Sequence, residues 1–479
     1  MNKILYVCSE AFPLIKTGGL ADVAGSLPAA LLSKSQDVRL VLPAYPEVLS
    51  KIKKQKIIAK SQYYMQSVNI IETKLPGTKV ITWLIDCPAA FNRPGGPYTD
   101  QHGDEWHDNA FRYTILCHAA VDLSLNRLSI NWQPNLVHCN DWQTGLVPAL
   151  LSLYINSPKT IFTIHNIAYQ GNFDQQMFND LHLPKELWHM HGVEYYGKFS
   201  FMKAGIAYAN KITTVSPNYA KEILTDEFGY GLSGLLNHRK DDLSGIVNGI
   251  DEKHWNPGTD ELIVQKYNQQ SLPQKVINKT ALQKELKLAN SKKTPLIGMV
   301  SRLVEQKGLN LILEHIETII SNNKVQFVIL GAGNFHYEML LCELAEKYPK
   351  QLSVTIGYNE ALAHQIEAAS DLFLMPSTFE PCGLNQLYSL RYGTLPIVTP
   401  VGGLVDTVIP ATSENIQNNT ANGFMLEGDN LVETIEHALS LYQQAKTWKQ
   451  LQLTAMKAHF TWKNVAGHYI QLYDSLKSS

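Results

Sequence analysis

Ile4-Leu5-Tyr6-Val7-Cys8, then Lys16-Thr17-Gly18-Gly19-Leu20, then an apolar-spaced run from Leu20 to Leu32 open the chain and decide how the rest is read. The first run is short and wholly apolar, the signature of a buried parallel strand, and the last has helical spacing. The segment between them therefore lies where a strand hands over to a helix. Its two glycines let the backbone approach a ligand and take a positive φ at little cost. The helix points its free N–H groups and positive dipole end at the same spot, and Lys16 adds a full charge. Such a loop suits a phosphate or diphosphate, although Gly-Gly before a helix also serves as a plain tight turn. The spacing is neither GxGxxG nor GxxxxGK followed by Ser or Thr, so neither the dinucleotide fingerprint nor the P-loop is indicated.

The same alternation recurs. Lys3–Val7, Val38–Leu42, Val80–Ile85, Leu136–His138 and Thr160–His165 read as strands, most of them followed by a helical pattern. The series restarts at Pro295–Ser301, Val325–Leu330, Leu352–Ile356, Leu372–Met375 and Leu395–Val398, with helices such as Leu309–Ile320 and Ala361–Ala369 between them. This is the pattern of parallel sheets covered on both faces, an α/β fold. The turn-rich stretch around Asn248-Gly249-Ile250-Asp251 and Asn256-Pro257-Gly258 separates the two series. The expected organisation is residues 1–245 as a first domain, 252–457 as a second, and 458–479 as a helix returning to the first. Two doubly wound domains imply a ligand cleft at the carboxyl ends of their strands.

The bulk properties agree with this size and exclude several classes. At 479 residues the chain is too long for one ordinary core. A net charge of -2 gives no general face for a nucleic acid. No apolar run approaches the ~20 residues that a membrane helix needs, and no secretory or transit leader is evident. The six cysteines are scattered, with no CxxC, which reads as free thiols in a reducing cytoplasm.

Three further segments fall at strand ends. Ser301-Arg302-Leu303-Val304-Glu305-Gln306-Lys307-Gly308 carries two cations, Gly331-Ala332-Gly333 marks a close backbone approach, and Thr378-Phe379-Glu380-Pro381-Cys382-Gly383-Leu384 places one carboxylate before a helix start. Each has an ordinary reading: solvated surface charges, a plain turn, a first-turn acid. His165-Asn166 ends a strand and also suits a satisfied core pair. His189 and His191 have the look of a metal pair, yet no further ligand lies at useful spacing. The chain has no Asp-x-Asp, the common metal clamp of sugar-nucleotide enzymes. What favours function is the joint occurrence of these segments, each at a strand's C-terminal end.

Taken together, the motifs resemble the bacterial glycogen synthases, which form one family with the plant starch synthases, retaining glucosyltransferases of the GT-B architecture. The resemblance runs the length of the chain. It is carried by Lys16-Thr17-Gly18-Gly19-Leu20-Ala21-Asp22-Val23, Arg93-Pro94-Gly95 with Pro97-Tyr98, His138 with Asn140-Asp141-Trp142, and Thr163-Ile164-His165-Asn166. It continues through Thr214-Val215-Ser216-Pro217, Asn248-Gly249-Ile250-Asp251, Ser301-Arg302-Leu303 with Gln306-Lys307-Gly308, Glu380-Pro381-Cys382-Gly383-Leu384 and Gly402-Gly403-Leu404. Asn385 stands where the family usually has Thr, Thr399 and Pro400 where it often has basic residues, and Tyr388 where many other GT-B enzymes carry a second Glu.

The resemblance implies a GT-B fold of two Rossmann-like domains facing across a deep cleft. It also implies transfer of glucose from ADP-glucose to the non-reducing 4-OH of an α-1,4-glucan, glycogen or a malto-oligosaccharide, with retention. Lys16, Arg302 and Lys307 then neutralise the leaving diphosphate, Glu380 places the sugar, and His165 contacts the glucose 6-OH or supports the oxocarbenium. Substrate contacts are expected from Gly18, Gly19, Asp22, Tyr98, Asp141, Asn166, Asn248, Gly331, Tyr358, Cys382, Gly383 and Leu384, with Tyr358 stacking on the base and Tyr98 lining the cleft. No cofactor and no metal are expected, nor any nucleic-acid or membrane partner. Two alternatives stay open: another GT-B enzyme, such as a sucrose-phosphate synthase relative or a phosphorylase, and a carbohydrate-binding protein that has lost catalysis.

Overall fold

The computed structural model describes residues 1–477. It divides into two units, Met1–Gly249 with the C-terminal helix Trp462–Ser475, and Ile250–Thr461. The strands of the first unit, in chain order, are β1 (Lys3–Val7), β2 (Asp37–Pro43), β3 (Lys56–Tyr63), β4 (Gln66–Lys74), β5 (Ile81–Asp86), β6 (Leu136–Asn140), β7 (Lys159–Ile164), β8 (Asn172–Asp174), β9 (Glu194–Tyr195), β10 (Lys198–Ser200), β11 (Lys211–Thr214) and β12 (Leu243–Gly245). Nine of them form one sheet in the order β12-β11-β7-β6-β1-β2-β5-β4-β3, and β8, β10 and β9 form a small antiparallel sheet.

β1 is central and fully apolar from Ile4 to Val7, as a strand covered on both faces must be. It pairs in parallel with β2 on one side and β6 on the other, so that Tyr6 lies opposite Leu40 and His138. The chain leaves β1 toward β2 and returns on the far side as β6, which makes the carboxyl end of β1 a topological switch point.

The second unit adds β13 (Leu296–Val300), β14 (Gln326–Gly331), β15 (Leu352–Ile356), β16 (Leu372–Met375), β17 (Leu395–Val398) and β18 (Phe424–Met425), all parallel, in the order β15-β14-β13-β16-β17-β18. Its switch point falls between β13 and β16. One face of the sheet packs through Ile297, Ile329 and Leu374 against the helices Leu309–Asn322 and Leu431–Tyr442. The other packs through Val328, Leu330 and Phe373 against Lys275–Glu285 and Glu360–Ala369.

Every strand expected from the sequence is present. The β3–β4 hairpin, β11, β12, β18 and the small sheet were not expected. β3 has no buried residue and so lacks the apolar alternation that marks a strand. Its turn uses Tyr64 and Met65, both at positive φ (51° and 60°), instead of the Asn-Gly that normally announces a hairpin.

The C-terminal helix docks on the first unit. Tyr473 Oη lies 2.8 Å from His138 Nδ1, and His138 Nε2 lies 2.7 Å from Thr163 Oγ1, all buried within the sheet's cover. Where the chain passes between units, its outgoing and returning segments run side by side: Ile250 N–H donates to Phe460 O at 2.8 Å, and a Cβ on Gly249 would stand 2.7 Å from Trp462 N. No helix among the described residues is long and apolar enough to cross a membrane.

Candidate active site

In the first unit the loop after β1 is organised by a residue that the sequence reading overlooked. Glu10 is 3% exposed, and its carboxylate accepts from Thr17 N–H (2.5 Å), Thr17 Oγ1 (2.8 Å), Gly18 N–H (3.3 Å) and Tyr98 Oη (2.8 Å). Burial pushes this carboxyl above its usual range in spite of those bonds. Tyr98 therefore braces Glu10, and it also bonds Ser9 Oγ at 2.7 Å. Neither loop glycine uses a positive φ, contrary to expectation. Gly18 is extended at φ -155°, and Gly19 opens the helix Gly19–Ser33. An added Cβ on Gly18 would meet nothing within 4 Å, so the glycine keeps space open in front of the helix. Lys16 Nζ is 2.8 Å from Asp22 Oδ1, one turn into that helix.

Across the switch point, β6 is followed by Asp141, whose φ of 56° is uncommon for a non-glycine residue and marks a held conformation. Its carboxylate accepts from the N–H groups of His165 (2.7 Å) and Asn166 (3.4 Å) at the end of β7. Burial raises the Asp141 carboxyl to about 7. His165 Nε2 is 3.0 Å from Asn140 Oδ1, whose amide is oriented by donation from Nδ2 to Val7 O at 3.0 Å. Nε2 is therefore the protonated nitrogen, leaving Nδ1 as an acceptor. Burial lowers His165 to about 3, so the imidazole is neutral at physiological pH. A neutral ring suits a sugar hydroxyl; it brings no charge to an oxocarbenium. Asn166 Oδ1 caps Ala168 N–H at 3.0 Å. At the end of this unit Asn248 is buried, and its Oδ1 has no hydrogen-bond partner.

In the second unit the loops after β13 and β16 interlock. Thr378 N–H donates to Gln306 O (3.0 Å) and Gln306 Nε2 to Phe379 O (2.8 Å). The result places Lys307 Nζ 2.5 Å from Glu380 Oε2, which also accepts from Ser377 Oγ at 3.1 Å. Arg302 is exposed and makes no side-chain hydrogen bond or ion pair among the described residues. Gly402 sits at φ 46°, and a Cβ there would stand 1.9 Å from Glu380 O, so only glycine lets the next loop back Glu380 this closely. Gly383, Leu384 and the buried Cys382 lead into the helix Asn385–Tyr392. Asn385 Nδ2 donates to Val300 O at 2.5 Å, tying that helix to the end of β13.

Comparison with known proteins decides the family. Residues 3–238 match the family described as starch synthase catalytic domain, and residues 282–451 that described as glycosyl transferases group 1. A glycogen synthase of Cellvibrio japonicus is 50% identical across 100% of both chains. The chain belongs to the glycogen and starch synthase family. Glycogen synthase 1 of Methylococcus capsulatus is 48% identical over 98% of this chain and 96% of its own. Among solved structures, the catalytic domain of starch synthase IV from Arabidopsis thaliana, bound to ADP and acarbose, superposes with a TM-score of 0.90 at 31% identity over 100% of both chains. The sucrose-phosphate synthase of Thermosynechococcus elongatus shares the fold, at TM-score 0.61 and 16% identity over 100% of both chains.

The chain is thus a GT-B glycosyltransferase of the glycogen synthase family, acting on a nucleotide sugar and a glucan. Within each unit the expected residues gather at the switch points: Lys16, Gly18, Asp22, Asp141 and His165 in one, Arg302, Lys307, Glu380 and Gly383 in the other. Asn248 and Tyr358 instead follow the edge strands β12 and β15, and β14 ends on Gly331. A Cβ on it would lie 2.0 Å from Ser301 O, so the close approach is to the neighbouring loop. Tyr358, 79% exposed, follows β15. His189 and His191 gather no third metal ligand among the described residues.

Asp141 makes one consequence measurable. Its carboxyl keeps a proton to about pH 7 in the folded protein, while an unfolded Asp gives it up near ~4. Unfolding therefore releases a proton between those values. The contribution of Asp141 to stability therefore falls as pH rises through that window, at up to about 1.4 kcal/mol per pH unit, and levels off above it, against the opposite slope of the buried, neutral His138 and His165. Asp141→Asn should remove that contribution in urea titrations run from pH 4.5 to 8. An identical slope in the variant would assign the proton elsewhere.

Proposed function

We propose that this enzyme transfers glucose from ADP-glucose to the non-reducing 4-OH of an α-1,4-glucan with retention, lengthening glycogen in the cytoplasm, without a metal or cofactor. The observation that carries this reading is the full-length likeness to a starch synthase bound to ADP and acarbose, together with the cations at both switch points.

The chemical difficulty is departure of a diphosphate. As the bond from C1 breaks, negative charge grows on the leaving phosphate and the sugar becomes oxocarbenium-like. Arg302, Lys307 and Lys16 offset that charge, each pair at ~4 Å being worth about 4 kcal/mol at an effective dielectric of 20. The acceptor 4-O attacks C1 from the face that the phosphate leaves, and its proton passes to the departing phosphate oxygen. Glu380, held by Lys307 and Ser377, orients the sugar hydroxyls. His165 accepts a hydrogen bond from the glucose 6-OH at Nδ1. Asp141 positions His165 and Asn166 through their backbones, and Glu10 does the same for the loop that bears Lys16. Tyr358 stacks on the base. Asn248 offers its unpartnered Oδ1 to a ligand hydroxyl.

Calorimetry with ADP and UDP, alongside glucan elongation with and without a chelator, tests the reading. ADP is expected to bind more tightly, and turnover to persist under chelation. Equal affinity for the two nucleotides would refute the donor, and loss of activity restored only by a divalent ion would refute the metal-free account of the leaving group.

A further inference from the structure

A second cluster of chemically capable side chains lies in the second unit, apart from the loops already described. His254, Glu360 and His364 bring one ligand atom each to within 4.8 Å of one another. The three come from two segments. His254 lies just after the chain enters the unit, and Glu360 and His364 stand one turn apart on the helix Glu360–Ala369, hence on the same face.

His364 is the centre of the arrangement. It is fully buried, and its Nδ1 is 2.8 Å from Asp260 Oδ2. That carboxylate also accepts from Tyr392 Oη at 2.5 Å and, through Oδ1, from Leu262 N–H at 2.8 Å. Asp260 is thus an acceptor on every side, so His364 Nδ1 carries the proton and Nε2 presents a lone pair. Nε2 is buried with no hydrogen-bond partner. A buried polar atom left unmatched costs roughly 1–3 kcal/mol and calls for a reason. The ring cannot turn away to find a partner, because Trp255 stacks on it at 3.7 Å and 13°, with Tyr388 stacked on Trp255 at 3.8 Å and 8°. The other two groups sit at the mouth, about one third exposed, with His254 Nε2 2.8 Å from Glu360 Oε1.

We infer that His254, Glu360 and His364 form a binding site for a borderline divalent cation of the Zn²⁺ type. Two imidazoles and a carboxylate are a common three-ligand set for such an ion, and they leave a fourth position for water or an exchangeable ligand. Imidazole also selects against Mg²⁺ and Ca²⁺, which prefer all-oxygen shells. Asp260 supplies the outer carboxylate that metal-bound histidines generally have, fixing the tautomer that points Nε2 at the ion. Zn–N and Zn–O bonds of about 2.0–2.2 Å need ligand atoms roughly 3.3 Å apart, so the side chains close in by rotation of the two exposed members. Binding would fasten residues 251–256 to the helix that follows Tyr358. The site is separate from the diphosphate-neutralising residues, and activity without added metal is compatible with it.

The test is Zn²⁺ titration of the full chain after chelator treatment and desalting, followed by calorimetry and thermal unfolding. One equivalent is expected to bind and to raise Tm. His254→Gln and Glu360→Gln, both at the partly exposed mouth and close in size to the residues they replace, should each weaken binding tenfold or more and abolish the shift in Tm. The double variant His189→Gln/His191→Gln in the first unit should bind like the unmodified protein. No binding by the unmodified protein, unchanged binding in the two mouth variants, or loss of binding in the His189/His191 variant would each overturn the inference.

Discussion

Arg302→Ala is expected to lower kcat by about a hundredfold or more, with a much smaller change in KM. Its guanidinium follows β13 at the switch point and is committed to no other side chain among the described residues, so its charge is available when the bond breaks. A charge that acts on a growing negative charge contributes more to the transition state than to the bound substrate, which is why the loss falls on turnover. Lys16→Ala should show the same pattern with a smaller loss. Lys16 shares its charge with Asp22 at 2.8 Å, and removing it leaves that carboxylate beside the site. Initial rates of glucan elongation over a range of donor concentrations give both constants. If both variants changed KM alone, these residues would be binding the ground state, and the account of leaving-group stabilisation would be wrong.

The second large effect concerns Glu380 and Lys307, which the structure shows as one unit. Glu380→Gln keeps the size of the side chain and removes its charge. Turnover should fall sharply while ADP still binds, and ADP should remain preferred over UDP if, as proposed, the base stacks on Tyr358 and not on Glu380. Lys307→Met should be comparably damaging for a different reason: it removes a cation and leaves Glu380, only 11% exposed, without its counter-charge. The two losses should not add. A double-mutant cycle on turnover should give a coupling of about 1–3 kcal/mol, as for groups in direct contact. Strict additivity would mean that the ion pair is incidental. Near-normal turnover in Glu380→Gln would remove Glu380 from the mechanism.

The β13 and β16 loops were legible because each announces itself twice, as an apolar strand run and as a charged, glycine-bearing segment directly after it. The same held for the loop after β1. Glu10 was not legible. It is a single acid in Cys8-Ser9-Glu10-Ala11, and its importance comes from Tyr98, 88 residues away, and from a loop that bends back on it. The one available signal was a carboxylate in an otherwise buried run at a strand end. Gly331 shows a related limit: glycine marks a close approach, and only the structure shows that its open side faces Ser301 O. The pairing of Lys307 with Glu380, 73 residues apart, likewise exists only once the sheet has set β13 beside β16. His254 and His364 lie 110 positions apart in sequence, and no local pattern connects them.

The first unit is discontinuous, and this bears on how the protein is made. His138 and Tyr473 are separated by 335 residues, yet their hydrogen bond lies inside the cover of the first sheet. On the ribosome the second unit is complete, as one contiguous stretch, before the helix Trp462–Ser475 has emerged. The unit that is begun first is therefore finished last. Until then His138 and the strands around it lack part of their apolar cover, the kind of exposed surface that draws chaperones or leads to aggregation. A premature stop after Thr461 would spare the unit that contains it and cripple the one translated earliest.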